Sequence, residues 1–499
     1  MRHPNTAPRL ARFSTSLKLK SAVSLLLFLV IAMGTSWAQS DDGQSAAENE
    51  SENTTSQIAG AADANSAVDA NLDSSEQVSA ESSAAQSYIL AGVHVSGGAD
   101  SNPRGASGSS SQFSSALNFA GSVNLLKFWH RSQTSVEYAG GSTLDGYSGN
   151  LGTYDRLFHK LDVEQDFFWR RAELNVRNSF RSLRESDFGS SSFGGASAYN
   201  LRFAGAATDL IPGVSARDSS PEERFINLDH QSSIGNTLSA QFTESLTPRS
   251  SLSLGSSFHL VDYLGNSAPL LNGRQFSANV GYNYQLDGRN EVGLVYEYRA
   301  FEFTHTGAGD VVTNSAQLIY KRHISGHMDF SAGAGPELTA IHSDSSADTQ
   351  EVNVAAHASL EYRPQKSSTL SASYNRLVTS GSGLFVGGNS NIARISFTHN
   401  IHRAWRTSFD AGYAQVSSLA ATLPNAINVR GNSYQYSFAG AAIQKRLGRY
   451  FDVFASYQFN HQNLDNFSCG TSTICSPGLR TRHIALIGFD WRIRPRRLE

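Results

Sequence analysis

Charged side chains recur in this chain at alternate positions inside apolar runs, a spacing that sets them on one face of a strand. Glu291, Glu297 and Arg299 alternate with Val292, Leu294, Tyr296 and Tyr298, and Glu361 and Arg363 follow the same phase against Leu360 and Tyr362. Arg177 and Arg394 hold the equivalent phase in their own runs. A face of mixed charge can line water and act on solutes by size and charge, as rings of side chains do in channels. These seven are the candidate lumen-facing residues. A denser set, Arg217, Asp218, Glu222, Glu223, Arg224 and Asp229, falls inside one long polar segment. Opposed charges of that kind across a narrow passage order water and sort solutes, so these six are the candidate pore constriction.

Covalent chemistry has little support. His461 lies in Asn460-His461-Gln462-Asn463, a weak echo of the Asn-His part of a lipid hydrolase. A nucleophile would need a base beside it and a third group to orient that base. Serine is so common here that a Ser near any His carries no weight, and His461 is read as a polar lumen residue. The histidines are scattered, with no HExxH and no Gly-x-Ser-x-Gly. Cys469 and Cys475 enclose Gly-Thr-Ser-Thr-Ile; in an oxidising compartment they are expected to close a small loop as a disulfide. No enzyme activity, metal or cofactor is expected.

The elements that must carry these side chains are strands. Phe276 to Leu286 places apolar or aromatic residues at every even position, and Val352 to Tyr362 and Phe451 to Phe459 repeat the pattern. Nine to eleven residues of period two suit a tilted strand crossing a bilayer. Eight short polar turns separate such runs: Trp129-His130-Arg131, Trp169-Arg170-Arg171, Thr247-Pro248-Arg249, Asp287-Gly288-Arg289-Asn290, Ser325-Gly326-His327, Arg363-Pro364-Gln365-Lys366, His402-Arg403-Ala404 and Leu447-Gly448-Arg449. They recur about every forty residues, with one interval nearly twice as long. Short turns alternating with longer loops are the rhythm of an up-and-down barrel.

Eight hairpins, one strand near Tyr88 to Ser96 and one over His483 to Ile493 give eighteen strands, with sixteen as the alternative. The expected fold is all-β: a closed up-and-down antiparallel transmembrane β-barrel. Aromatics beside the short turns (Trp129, Trp169, Tyr284, Tyr362, Trp405) argue for a membrane girdle over a soluble sandwich. The long interval leaves about 184–233 as a third external loop, too long for a passive connection and expected to gate the lumen.

The first 38 residues read as a signal peptide. Five basic residues precede an apolar stretch from Ala22 to Met33, and Ser36-Trp37-Ala38 supplies the small residues for cleavage after Ala38. Residues 39–86 hold ten acidic side chains and no Lys or Arg, a composition expected to form a disordered periplasmic tail. The barrel would span 87–499, where charge is nearly balanced and no basic patch suggests nucleic acid. An exported closed barrel implies a Gram-negative outer membrane.

The architecture resembles the porin-like outer-membrane β-barrels. More narrowly, Ala91-Gly92-Val93-His94-Val95, Ala99-Asp100-Ser101-Asn102-Pro103 and Leu246-Thr247-Pro248-Arg249-Ser250-Ser251-Leu252 resemble the beta-barrel porin type 2 proteins. The resemblance implies passive diffusion of small hydrophilic solutes through a lumen narrowed by the third loop. It implies outer-membrane lipid and the barrel insertion machinery as partners, with a monomer and a homo-oligomer both open. An exopolysaccharide secretion conduit or scaffold is the alternative, and an outer-membrane lipid hydrolase a weaker one. The chain departs from porins at its end: Arg494-Pro495-Arg496-Arg497-Leu498-Glu499 follows Ile493, where porins stop on an aromatic.

Overall fold

A computed structural model describes residues 87–101, 114–146, 156–184, 232–264, 271–304, 310–342, 348–380, 385–402, 404–419, 433–465 and 480–498. The signal peptide, the acidic tail, the six constriction candidates Arg217, Asp218, Glu222, Glu223, Arg224 and Asp229, and both Cys469 and Cys475 lie outside the described residues.

Eighteen long strands make up the fold. They are β1 (Tyr88–Asp100), β2 (Ser114–Phe128), β3 (Ser132–Gly146), β4 (Arg156–Phe168), β5 (Ala172–Arg184) and β6 (Ser232–Thr247). Next come β7 (Ser250–Leu264), β8 (Asn272–Gln285), β9 (Asn290–Thr304), β10 (Asp310–Ser325), β11 (Met328–His342) and β12 (Thr349–Gln365). The last are β13 (Ser368–Thr379), β14 (Gly388–His402), β15 (Trp405–Ser418), β16 (Ser433–Arg446), β17 (Phe451–Asp465) and β18 (Arg480–Arg492). A two-residue strand, β19 (Arg496–Arg497), prolongs β18 beyond Pro495 and pairs with Tyr88 and Ile89. The basic C-terminal residues thus extend the closing seam.

Every long strand pairs antiparallel with its neighbours in sequence, and β1 pairs with both β2 and β18, so the sheet closes on itself. Closure joins the first strand to the last, so the sheet has no free terminal strand for lipid to meet. All eight short turns fall between the strands expected of them. Their chemistry is local. At the β8–β9 turn the Asp287 carboxylate accepts the N–H groups of Arg289 (2.7 Å) and Asn290 (2.8 Å) and the Asn290 amide (2.7 Å). This is the Asx geometry that lets Asp open a turn. Four of the turns carry a register shift in the last paired residues, at Ser245/Thr247, His323/Ser325, Tyr362/Gln365 and Asn400/His402.

The terminal strands run further than the sequence suggested, β1 to Asp100 and β18 from Arg480. Gly97 and Gly98 carry no apolar signal, yet they pair with Ile487 and Leu486. A Cβ at Gly98 would stand 1.8 Å from the Ala485 carbonyl oxygen, so glycine permits the close approach there.

The outer face is apolar and uncovered: Leu318 is 66% exposed, and Val352 and Ile487 72% each. Trp129, Trp169, Tyr284, Tyr362 and Trp405 form an exposed aromatic rim at the short-turn end. Lys127 and Lys445 sit over the rings of Trp129 and Trp405 at 5.9 and 5.0 Å. The inner face is polar and buried, with Ser277, Glu297, Arg299, Thr313, Ser315, Glu337, Thr339 and Ser390 all nearly inaccessible. This inversion of a soluble protein is what a barrel in lipid requires.

Candidate functional site

The inner wall is a set of matched charges built by strand register. Arg394 on β14 donates from Nε (3.0 Å) and Nη2 (2.6 Å) to Asp410 on β15. Arg482 on β18 binds Asp100 on β1 through both carboxylate oxygens. Arg492 pairs with Asp452, which Arg446 also approaches at 3.8 Å. His94 Nδ1 meets Asp490 at 2.7 Å while its ring stacks on Phe454. On β4, Asp162 lies 2.9 Å from Lys160 of the same strand and 3.3 Å from Arg177 on β5. Cross-strand partners of opposite charge stand close enough to pair on one face of a sheet, and buried charges persist only when so paired.

The seven lumen-facing candidates are distributed over this wall and do not converge on one site. Arg177 and Arg394 are in the pairs above. Glu291 accepts from Lys321 at 3.1 Å, and Arg363, half exposed at the β12–β13 turn, binds Glu361 at 2.6 Å. Glu297 and Arg299 are 3.3 Å apart and buried.

Arg299 is also part of a structure that the sequence did not reveal. At the long-loop end, β13 leaves the wall. Its pairing with β12 stops at Ala356↔Arg376, although β13 continues against β14 to Thr379↔Gly388. The described residues of the β13–β14 tip (377–380 and 385–389) instead lie inside the barrel, against the inner faces of β9–β12. Three contacts fix this. The Asn389 amide donates to Asn353 Oδ1 on β12 at 3.3 Å, past the intervening strand. Gly387, with φ of 73°, approaches Val311 on β10 so closely that a Cβ would lie 3.3 Å from it. Glycine is needed there for both the dihedral and the space.

Above all, Arg299 Nη1 donates to the Val378 carbonyl at 2.6 Å, and Glu337 Oε2 accepts the Val378 N–H at 3.1 Å. Arg299 Nη2 and Glu337 Oε1 are joined at 2.8 Å. Both peptide groups of Val378 face the side where β12 would stand, and a buried peptide group must be paired. The ion pair does this in place of the missing strand.

Two apolar clusters fix the tip from inside. Val378 and Val386 pack with Leu271, Phe301, Phe303, Val311 and Ile341. Phe385 packs with Ile392, Ala414, Val416, Tyr434 and Tyr436. A pocket beside the first cluster is lined by His259, Val261, Tyr263, Phe301, Phe303 and Ser380 among others. The signal for this arrangement was present but unread: Phe301, Phe303, Val311 and Ile341 are apolar residues in the inward phase, confined to the long-loop ends of their strands. An apolar group facing the lumen implies something to pack against it.

His461 is not a lumen residue. In β17 the inward positions are Asp452, Phe454, Ser456, Gln458, Asn460 and Gln462, all buried. His461 is therefore on the outer face with Tyr457 and Phe459; its Nδ1 lies 3.1 Å from the Thr481 hydroxyl, and the Phe459 ring stacks on it. The phase of Phe451 to Phe459 already dictated this, because a period of two leaves no choice of face.

No protein-family model and no curated protein matches the chain. Solved structures resemble it loosely. OccK2 of Pseudomonas aeruginosa, in complex with glucuronate, is 9% identical with a TM-score of 0.41, over 81% of this chain and 98% of that one. OccAB3 of Acinetobacter baumannii is 10% identical with a TM-score of 0.39, over 82% and 99%. The FrpB iron transporter of Neisseria meningitidis is 7% identical with a TM-score of 0.39, over 82% and 83%. Likeness at this level is too loose to assign the chain to any of them.

Proposed function

We propose that this chain is an outer-membrane channel for passive diffusion of small hydrophilic solutes. One observation carries the reading: a closed barrel of eighteen long strands whose uncovered face is apolar and whose inner face is lined by charges. Such a body is stable only with lipid outside and polar surroundings within. Barrels of 16–18 strands leave an aqueous passage where smaller ones fill with their own side chains. The aromatic rim at the short-turn end marks the periplasmic interface, and the long loops face outward.

Selection would act by size and by weak electrostatics. Inner charges are matched in pairs, so neither sign of ion meets a strong opposing field. The β13–β14 tip narrows the lumen from within. The third external loop, with Arg217, Asp218, Glu222, Glu223, Arg224 and Asp229, supplies a second narrowing in this reading. Small solutes and membrane lipid are the partners that this function requires.

Single-channel recording of the refolded barrel in a planar bilayer tests the proposal, with a variant lacking residues 188–230 beside it. Stable steps, larger in the deletion, are expected, together with uptake of small saccharides into liposomes. A folded barrel with neither steps nor uptake would remove the channel reading.

A further inference from the structure

The inward tip leaves a mark on the wall. β12 pairs with β11 along fourteen positions, from Met328↔Tyr362 to Ile341↔Thr349. With β13 it pairs at eight, and none of them lies in Thr349–Ala355. Among the described residues that stretch of β12 has no strand on its β13 side, and its outward side chains Val352 and Val354 are strongly exposed. A sheet edge without a partner is costly and invites a strand.

The strand that fits it is β13 itself. Extending the seam past Ala356↔Arg376 by one residue at a time sets Leu377 opposite Ala355, Val378 opposite Val354 and Thr379 opposite Asn353. The phases agree. Val378 would join Val354 on the apolar outer face, and Thr379 would join Asn353 on the polar inner face. Val378 would exchange the Glu337 carboxylate and the Arg299 guanidinium for the backbone groups of Val354. Its valine side chain is buried by Val311, Ile341 and Val386 in one position and faces lipid in the other.

We propose that the β13–β14 tip (the described residues 377–380 and 385–389) is a gate with two seats. In the inner seat it is latched by Arg299 and Glu337 and narrows the lumen. In the wall seat it completes the β12 seam and widens it. Packed elements with two discrete arrangements are how proteins switch. The inference rests on the channel reading, and its test separates the two.

Two cysteine pairs distinguish the seats in the full chain, with Cys469 and Cys475 replaced by Ser. Asn353→Cys with Asn389→Cys bridges the inner seat, where the native side chains touch. Val354→Cys with Val378→Cys can close only in the wall seat, where the two become directly paired residues at a spacing that a disulfide spans. Both pairs are expected to oxidise in liposomes. The first should hold the barrel at the lower conductance, the second at a conductance about twofold higher or more, and reductant should erase the difference. Arg299→Met should speed closure of the second pair about tenfold.

If the Val354/Val378 pair stays reduced while the Asn353/Asn389 pair closes fully, the tip has one seat and the proposal is wrong. Both pairs closing with equal conductance would also defeat the gate. If both close and no version conducts, the two seats stand and the channel reading falls.

Discussion

Arg299 and Glu337, on strands separated by β10, hold the two peptide groups of a single residue, Val378: the guanidinium takes the carbonyl and the carboxylate takes the N–H. The two side chains are themselves joined at 2.8 Å. A charge-assisted pair thus stands where a neighbouring strand would be, and it frees a hairpin tip to lie in the lumen.

Removing both members of that pair should cost less than the sum of removing each alone. Arg299→Ala leaves Glu337 buried without its guanidinium, a loss of about 3–5 kcal/mol for breaking a buried pair. The double variant Arg299→Met with Glu337→Leu should cost less than the two single losses added together, although Glu297 and the Val378 peptide groups also lose their partners. Denaturant unfolding of the refolded barrel, read as a double-mutant cycle, checks this. Additive losses would mean that the two residues act independently of each other.

A charge on the outer face should oppose insertion. Ile487 and Leu318 are among the most exposed apolar side chains and lie mid-strand. Ile487→Arg should cost about 2–4 kcal/mol of folding stability in lipid, the range for Arg near the bilayer midplane. The comparison is Ser277→Ala on the inner face, with a far smaller loss. Equal losses in a folding titration would mean that the outer face does not meet hydrocarbon.

Ion selectivity should shift when one wall charge loses its partner. Arg394→Gln leaves Asp410 without its bidentate donor. The channel should become more cation-preferring, and the effect should weaken in high salt. Reversal potentials across a salt gradient measure it; Asp410→Asn should move them the other way. No movement in either variant would place this pair off the conduction path.

The β8–β9 turn should carry an acid sensitivity of its own. The Asn290 amide, with the Arg289 and Asn290 N–H groups, holds the Asp287 carboxyl below its ordinary value of 3.8. A depressed folded value means stability that is fully present above the unfolded value and lost as pH falls through the folded one. Asp287→Asn, which cannot ionise, should therefore flatten any fall in stability below about pH 4 by losing the carboxylate's small contribution at neutral pH while changing little at the acid end. Unfolding midpoints between pH 2.5 and 7, in roughly half-unit steps, would show it; the same slope in both proteins would contradict it.

Strand count, turn positions and closure were legible because they depend on local rules. A period of two, as in Phe276 to Leu286, sets which face each residue takes, and Asp287-Gly288 or Thr247-Pro248 can only turn the chain. The same rule placed His461 outside, against its reading as a lumen residue, because a strand cannot change face in mid-run. The charges of the wall were visible as types, but their pairs depended on register: Arg482 lies 382 residues from Asp100 in sequence and beside it in space.

The inward tip was decided by tertiary structure alone. Nothing local separates Leu377-Val378-Thr379 from a strand that stays in the wall, since its alternation suits either seat. What holds it in the lumen is a buried ion pair from β9 and β11 and apolar residues from β9, β10 and β11. Alternation and turn chemistry alone specify a barrel with lipid outside and charges inside. Where its wall folds inward depended on side chains far apart in the chain, because the peptide groups of Val378 must find partners wherever the fold brings them.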